Sequence, residues 1–218
     1  MSIIYQYRLR NQIKNMSDYF KNKWKAGDLE AKNFYEWLSS IDQYVPDSMD
    51  GGLFAQTGDS VPITNTTTET TMVNGGVGAL FVPANNFRVG DSFIATIHGD
   101  ISSLNNATIR IKIKANTSVI ADTGPITLLS TASNHYDLSI YFTVRQIGVA
   151  GVASLMTTGT FTYNKSSNNS PERIGIESLD VSNFDTTIDN VLDITAQWGA
   201  ASPSNSIDTH TFNLYKIF

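Results

Sequence analysis

A chain of 218 residues with 41% hydrophobic content is long enough for one β-sandwich or barrel plus an accessory segment. It contains no cysteine, which excludes disulfides, thiol catalysis and cysteine-ligated zinc and fits synthesis in a reducing cytoplasm. The net charge of −5 hides an asymmetry, because residues 1–25 carry Arg8, Arg10, Lys14, Lys21, Lys23 and Lys25 against the single acid Asp18, while the rest of the chain is acidic.

No run approaches the roughly 18 apolar residues of a membrane span, so no membrane insertion is expected. Met1–Arg8 has no basic stretch leading into a long apolar one, so no signal peptide is expected either. Over residues 4–45 the apolar positions Ile4, Leu9, Ile13, Met16, Phe20 and Trp24 recur at helical spacing. Gly27-Asp28 reads as a stop and a new N-cap, followed by a second stripe of Leu29, Phe34, Trp37, Leu38 and Ile41 that Pro46 ends. Residues 1–45 are therefore expected to form an N-terminal α-helical attachment segment. Phe34, Tyr35 and Trp37 are its candidate docking aromatics, and Lys21, Lys23 and Lys25 are candidate docking charges. The plainer reading is a core contact with a solvated, mixed charged face. Contact with nucleic acid is a further reading the charge allows.

Residues 46–62 are rich in Asp, Ser, Gly and Pro and read as a linker. From 63 to 218 the chain reads as a train of strands, expected near 63–73, 77–82, 91–101, 107–115, 118–121, 125–128, 135–148, 152–164, 172–178, 190–198 and 207–217. In Thr108–Lys114 the isoleucines Ile109, Ile111 and Ile113 face one way and Arg110, Lys112 and Lys114 the other, which is a half-buried strand. Tyr136, Leu138, Ile140, Phe142 and Val144 make a longer apolar face, as on a central strand. Gly90 can supply a positive φ before the strand at Asp91, and Pro83 suits a strand end because it has no ladder donor. Gly75-Gly-Val-Gly78 reads as a turn between strands. The Thr-rich stretch Thr66–Thr71 suits an edge or inter-subunit strand. The expected fold is mainly β, a jelly-roll-like sandwich of two packed sheets behind a short helical segment.

Several phrases taken together carry a resemblance: Leu53–Ser60, Ile63–Thr71, Val82–Ser92, Phe142–Gly148, Phe184–Thr187 and Leu192–Trp198. Over roughly residues 53–218 the chain resembles jelly-roll-like β-sandwich domains of virion proteins in double-stranded DNA viruses, including virophages, viruses associated with giant viruses, and tailed phages. The resemblance implies a virion location and a minor capsid, vertex, spike or fibre role. It implies no catalytic residue.

The residues agree in offering little chemistry. His98, His135 and His210 stand in three different expected strands, none with the spacing of a helical zinc pair, and each reads as a packed or surface imidazole. The glycines at 75–78 lack the spacing and the lysine of a phosphate loop, and no nucleophile elbow or calcium loop appears. Asp185 and Asp189 lie in a polar stretch with no apolar pocket to raise a carboxyl pKa. The N-x-[ST] sequons at Asn15, Asn65, Asn106, Asn116, Asn164 and Asn168 mean little without secretion. The expectation is thus a non-enzymatic structural component of a virus particle, without cofactor or metal. It would act as a homo-oligomer (trimer or pentamer) docked to other capsid proteins. The alternative is a receptor- or carbohydrate-binding head of a viral fibre that engages a host surface glycan, with Trp198 or Tyr163 as candidate ligand contact; the simplest reading of Trp198 is a core-edge aromatic closing its strand. An endoglycosidase-like sandwich is the third reading.

Overall fold

The computed structural model describes residues 52–165, 170–178 and 183–217. The chain divides between Asp50 and Gly51, and every described residue belongs to the second unit. The expected helical segment, with Phe34, Tyr35, Trp37, Lys21, Lys23 and Lys25, lies outside the described residues.

The described strands are β1 (Gly52–Gln56), β2 (Ile63–Thr64), β3 (Thr70–Thr71), β4 (Gly76–Gly78), β5 (Phe81–Val82), β6 (Ser92–Ser103), β7 (Thr108–Ala115), β8 (Ser118–Asp122), β9 (Ile126–Thr127), β10 (Thr131–Gln146), β11 (Ser154–Asn164), β12 (Pro171–Ser178), β13 (Asn190–Trp198) and β14 (Ser206–Lys216). They pair antiparallel in two sheets. The larger runs β12-β11-β10-β6-β14-β1-β4 with β2 added on β14, and the smaller runs β3-β13-β7-β8 with β5 on β13 and β9 on β7. β10, β11 and β12 form a meander, whereas β6 sits between β10 and β14 and so depends on long crossovers.

Period-two alternation builds the core between the sheets. Ile109, Ile111 and Ile113 of β7 point inward, and so do Tyr136, Leu138, Ile140, Phe142 and Val144 of the interior strand β10, as their alternation predicts. The stacked rings of Phe93 and Phe142, 4.7 Å between centroids, continue through Phe87 to Phe184. Buried polar tips find partners, as a low-dielectric interior demands. Trp198 Nε1–H donates to Ile63 O at 2.8 Å, and Tyr163 Oη accepts from Leu129 N at 2.9 Å. Tyr136 Oη lies 2.9 Å from Thr209 Oγ1, whose backbone N–H donates to Ser60 Oγ.

Three local readings are corrected. β1 begins inside the stretch expected as linker, because Leu53 and Phe54 are core residues, and the Phe54 ring lies 5.4 Å from Phe212. The glycines at 76–78 form the edge strand β4 instead of a turn. A Cβ at Gly76 or Gly78 would fall 2.2 and 2.1 Å from carbonyl oxygens of β1, so only glycine lets this edge close up. Residues 63–73 do not make one strand. Thr66 Oγ1 takes the N–H of Thr68, and Thr71 Oγ1 takes that of Val73, so hydroxyls replace ladder partners between β2 and β3 and again just after β3. The abundance of asparagine also gains a reason: Asn65, Asn85, Asn106 and Asn116 all adopt positive φ, the conformation asparagine tolerates best after glycine.

Candidate functional site

The outer face of the larger sheet follows from register alone. Tyr141 of β10 stands opposite Ile94 of β6, which stands opposite Tyr215 of β14. The three side chains therefore lie in one line across the strands. Tyr141 is 48% exposed, Tyr215 is 38% exposed, and Ile94 is half-buried between them. The two tyrosines are two strand spacings apart, roughly 10 Å. The next outward row is Thr160, Ser139, Thr96 and Asn213 on β11, β10, β6 and β14. Among the described residues no side-chain hydrogen bond occupies Ser139, Thr96 or Asn213. At the β12 end Gly175 adds no side chain, and a Cβ there would meet nothing within 4 Å. A flat apolar strip beside a strip of hydroxyl and amide groups is the result.

Further along the same face the rows turn ionisable. Asp137 is opposite His98, and His135 is opposite Asp100, which in turn faces Asp208 of β14. His98 Nδ1 and His135 Nε2 both approach Asp137 Oδ1, the second at 3.1 Å, and the two imidazoles are stacked within 4° of parallel. A bulge between Thr209 and Thr211 makes His210 an extra residue on β14. Its ring lies 3.0 Å from Asp59 and 3.6 Å from both Asp100 and Asp208. The Asp59 carboxylate holds the His210 pKa above the ordinary imidazole value, and burial pushes the Asp208 carboxyl up. All three histidines of the chain thus meet on one face, although the sequence separates them into three strands.

The remaining candidates divide clearly. Trp198, the candidate ligand contact of the alternative reading, is 1% exposed and ties its N–H to the backbone, so it is the core aromatic of the simpler reading and no ring face is open to a ligand. Tyr163 is buried as well. Asp185 Oδ1 accepts from both the N–H and the hydroxyl of Thr187, which lowers its pKa, and Asp189 Oδ1 accepts from Ala84 N at 2.8 Å. Both acids act as turn caps. A cleft of about 180 Å³ between the sheets is lined by Leu53, Phe81, Phe87, Phe93 and Leu192, with the Lys216–Asp91 ion pair at its edge. That volume is below the roughly 300 Å³ at which small-molecule pockets begin.

No protein-family model matches the sequence, and no curated protein matches it either. Thirty-three chains of solved structures match. Lectin UEA-II in complex with galactose overlaps 77% of this chain and 86% of its own at a TM-score of 0.41 and 9% identity. Lectin I-B4 from Griffonia simplicifolia in metal-free form overlaps 80% and 97% at 0.38 and 9%. The CBM2 module of the evolved Dit of Lactobacillus casei BL23 phage J-1 overlaps 63% and 68% at 0.31 and 10%. At such overlap and identity these likenesses carry no functional weight, and the reading of this chain rests on its own residues.

Proposed function

We propose that the β-domain is a carbohydrate-binding head, and that the outer face of its larger sheet holds a glycan across Tyr141, Ile94 and Tyr215. The observation that carries the reading is the single cross-strand row of two exposed tyrosines, flanked by Thr160, Ser139, Thr96 and Asn213. Sugars present apolar C–H faces rimmed by hydroxyls, so they suit an aromatic strip beside neutral donors and acceptors. A face crossed by hydrogen-bonded strands is also rigid, which limits the ordering cost of binding. We read the head as a binder and assign Asp185 and Asp189 no catalytic part, since each holds its Oδ1 in a hydrogen bond to a backbone N–H. Such a head suits a fibre or spike of a virus particle, where particle attachment falls to another segment of the chain.

One observation favours a second, structural reading. The loops at 83–91, 146–153 and 183–189 are tied at one end of the sandwich by Asn85 N to Thr186 O and by Gly148 N to Thr186 Oγ1. That end exposes Val89, Ile147, Val149, Val152 and Ile188. Burying such a patch against copies of the chain would support a trimer or pentamer, and the mass of the purified protein decides it.

A glycan array probed with the full chain tests the first reading. Covering about 50–100 Å² of a tyrosine ring at about 25 cal/mol per Å² gives about 1.3–2.5 kcal/mol, so Tyr141→Ala or Tyr215→Ala should each weaken the best array ligand by roughly 10- to 70-fold. Absence of binding across the array, or binding indifferent to both substitutions, would overturn it.

A further inference from the structure

We propose that His98, His135 and Asp137 form a binding site for a borderline divalent transition-metal ion, with zinc as the expected occupant. The three ligand atoms lie within 4.8 Å of one another. His98 Nδ1 and His135 Nε2 already turn toward one point, Asp137 Oδ1, on rings stacked 5.9 Å apart. A tetrahedral ion with bonds of about 2.0–2.2 Å holds neighbouring ligand atoms roughly 3.3 Å apart, which modest side-chain rotation here provides. The backbone beneath does not need to move. Asp137 and His98 are directly opposite in the β6–β10 ladder, and His135 shares a face with Asp137 two residues earlier. Each side chain is about half exposed, so a further coordination position is left open toward solvent or an external donor.

The donor set selects the class of ion. Two imidazoles and one carboxylate suit zinc, nickel or copper, whereas calcium and magnesium prefer oxygen ligands throughout. Asp100, opposite His135, and Asp208, opposite Asp100, add negative charge that favours any cation arriving on this face. The site is independent of the tyrosine row and stands whether or not that row holds a sugar.

Zinc chloride titrated into the untagged full-length chain against a chromophoric competitor tests the assignment. One equivalent should bind, and His135→Ala and Asp137→Asn should each weaken it at least about 100-fold, while His210→Ala changes it by no more than about threefold. In the unmodified protein, zinc should move the nitrogen resonances of His98 Nδ1 and His135 Nε2 and leave those of His210 in place, a readout that does not depend on any variant folding. Absence of saturable binding, equal loss in His210→Ala, or shifts confined to His210 would overturn the proposal.

Discussion

Gly99 is the point at which adding one carbon should cost most. It faces the core from the middle of β6, opposite Thr209 on β14 and Tyr136 on β10. A Cβ there would lie 1.9 Å from Asp208 O and 2.9 Å from Tyr136 Cε1. The first neighbour is backbone in a paired strand and cannot rotate away. β14 would have to withdraw from β6 by about 1 Å, next to the bulge at Thr209 and through the buried chain of Tyr136 Oη, Thr209 and Ser60. Overpacking costs about 1–3 kcal/mol, and each buried hydrogen bond lost adds about 1 kcal/mol, so Gly99→Ala should cost about 3–4 kcal/mol. For a domain of this size that lowers the thermal midpoint by about 8–15 °C. Thermal and urea unfolding followed by circular dichroism measures it. Gly175→Ala is the control, because its added Cβ meets nothing within 4 Å and should change stability by less than about 0.5 kcal/mol. Equal behaviour of the two variants, or a Gly99→Ala loss below about 0.5 kcal/mol, would refute the reasoning.

Glu69 accepts from Lys112 Nζ, from Lys114 Nζ at 2.9 Å and from Thr195 Oγ1 at 3.0 Å, and the two lysines hold its pKa down at about 2, from 4.5. A lowered carboxyl pKa stabilises the fold above pH 4.5, and that stabilisation is lost as pH falls toward 2. The shift caps the effect near 3 kcal/mol, and solvent screening reduces it to about 1–2 kcal/mol, so Glu69→Gln should be destabilised by that much at pH 7 and should converge on the parent only as pH falls toward 2 in urea titrations. A fragment of residues 51–218 should fold by itself, because the described core is closed from β1 onward, whereas a fragment starting at residue 57 should be aggregated or molten by circular dichroism and mass, having lost Leu53 and Phe54.

Most strands were legible because alternation is a local signal. β7 and β13 fall where the sequence places them, and β10 and β14 to within a few residues. The failures were also local. Threonine hydroxyls broke up 63–73, and glycines whose missing Cβ mattered only against β1 were read as a turn. The candidate face was only half legible. Ile94, Tyr141 and Tyr215 are each an apolar residue out of phase, on the polar side of its strand, and that signal is present in the sequence. Their alignment was not legible, since it depends on the register among β6, β10 and β14, and a slip of one residue would turn the side chains to the opposite face. The meeting of His98, His135 and His210 depends on the same register and on a bulge that no residue type announces.

The two outer faces of the sandwich differ in whether their polar groups already answer one another. On the smaller sheet Arg110 Nε–H donates to both Asp122 oxygens at 2.8 and 3.0 Å, and Asp122 also accepts from Gly124 N. Glu69 joins two lysines and Thr195, Thr71 donates to Asp193 at 2.6 Å, and Gln197 donates to Thr67 O. A ligand there would first have to break these pairs, and each exchange would return little net energy. On the larger sheet two tyrosine rings face water, and the hydroxyl and amide row beside them has no internal partner at Ser139, Thr96 or Asn213. Covering that face removes apolar area from water and meets one existing side-chain pair in that row, Arg173 donating to Thr160 at its β11 end. The same asymmetry holds for a cation, because carboxylates on the smaller sheet already face lysine and arginine, whereas among the described residues the ion-pair partners of Asp137 are imidazoles. Either proposed binding mode is therefore less costly on the larger sheet than on the smaller one, whose outer pairs would first have to open.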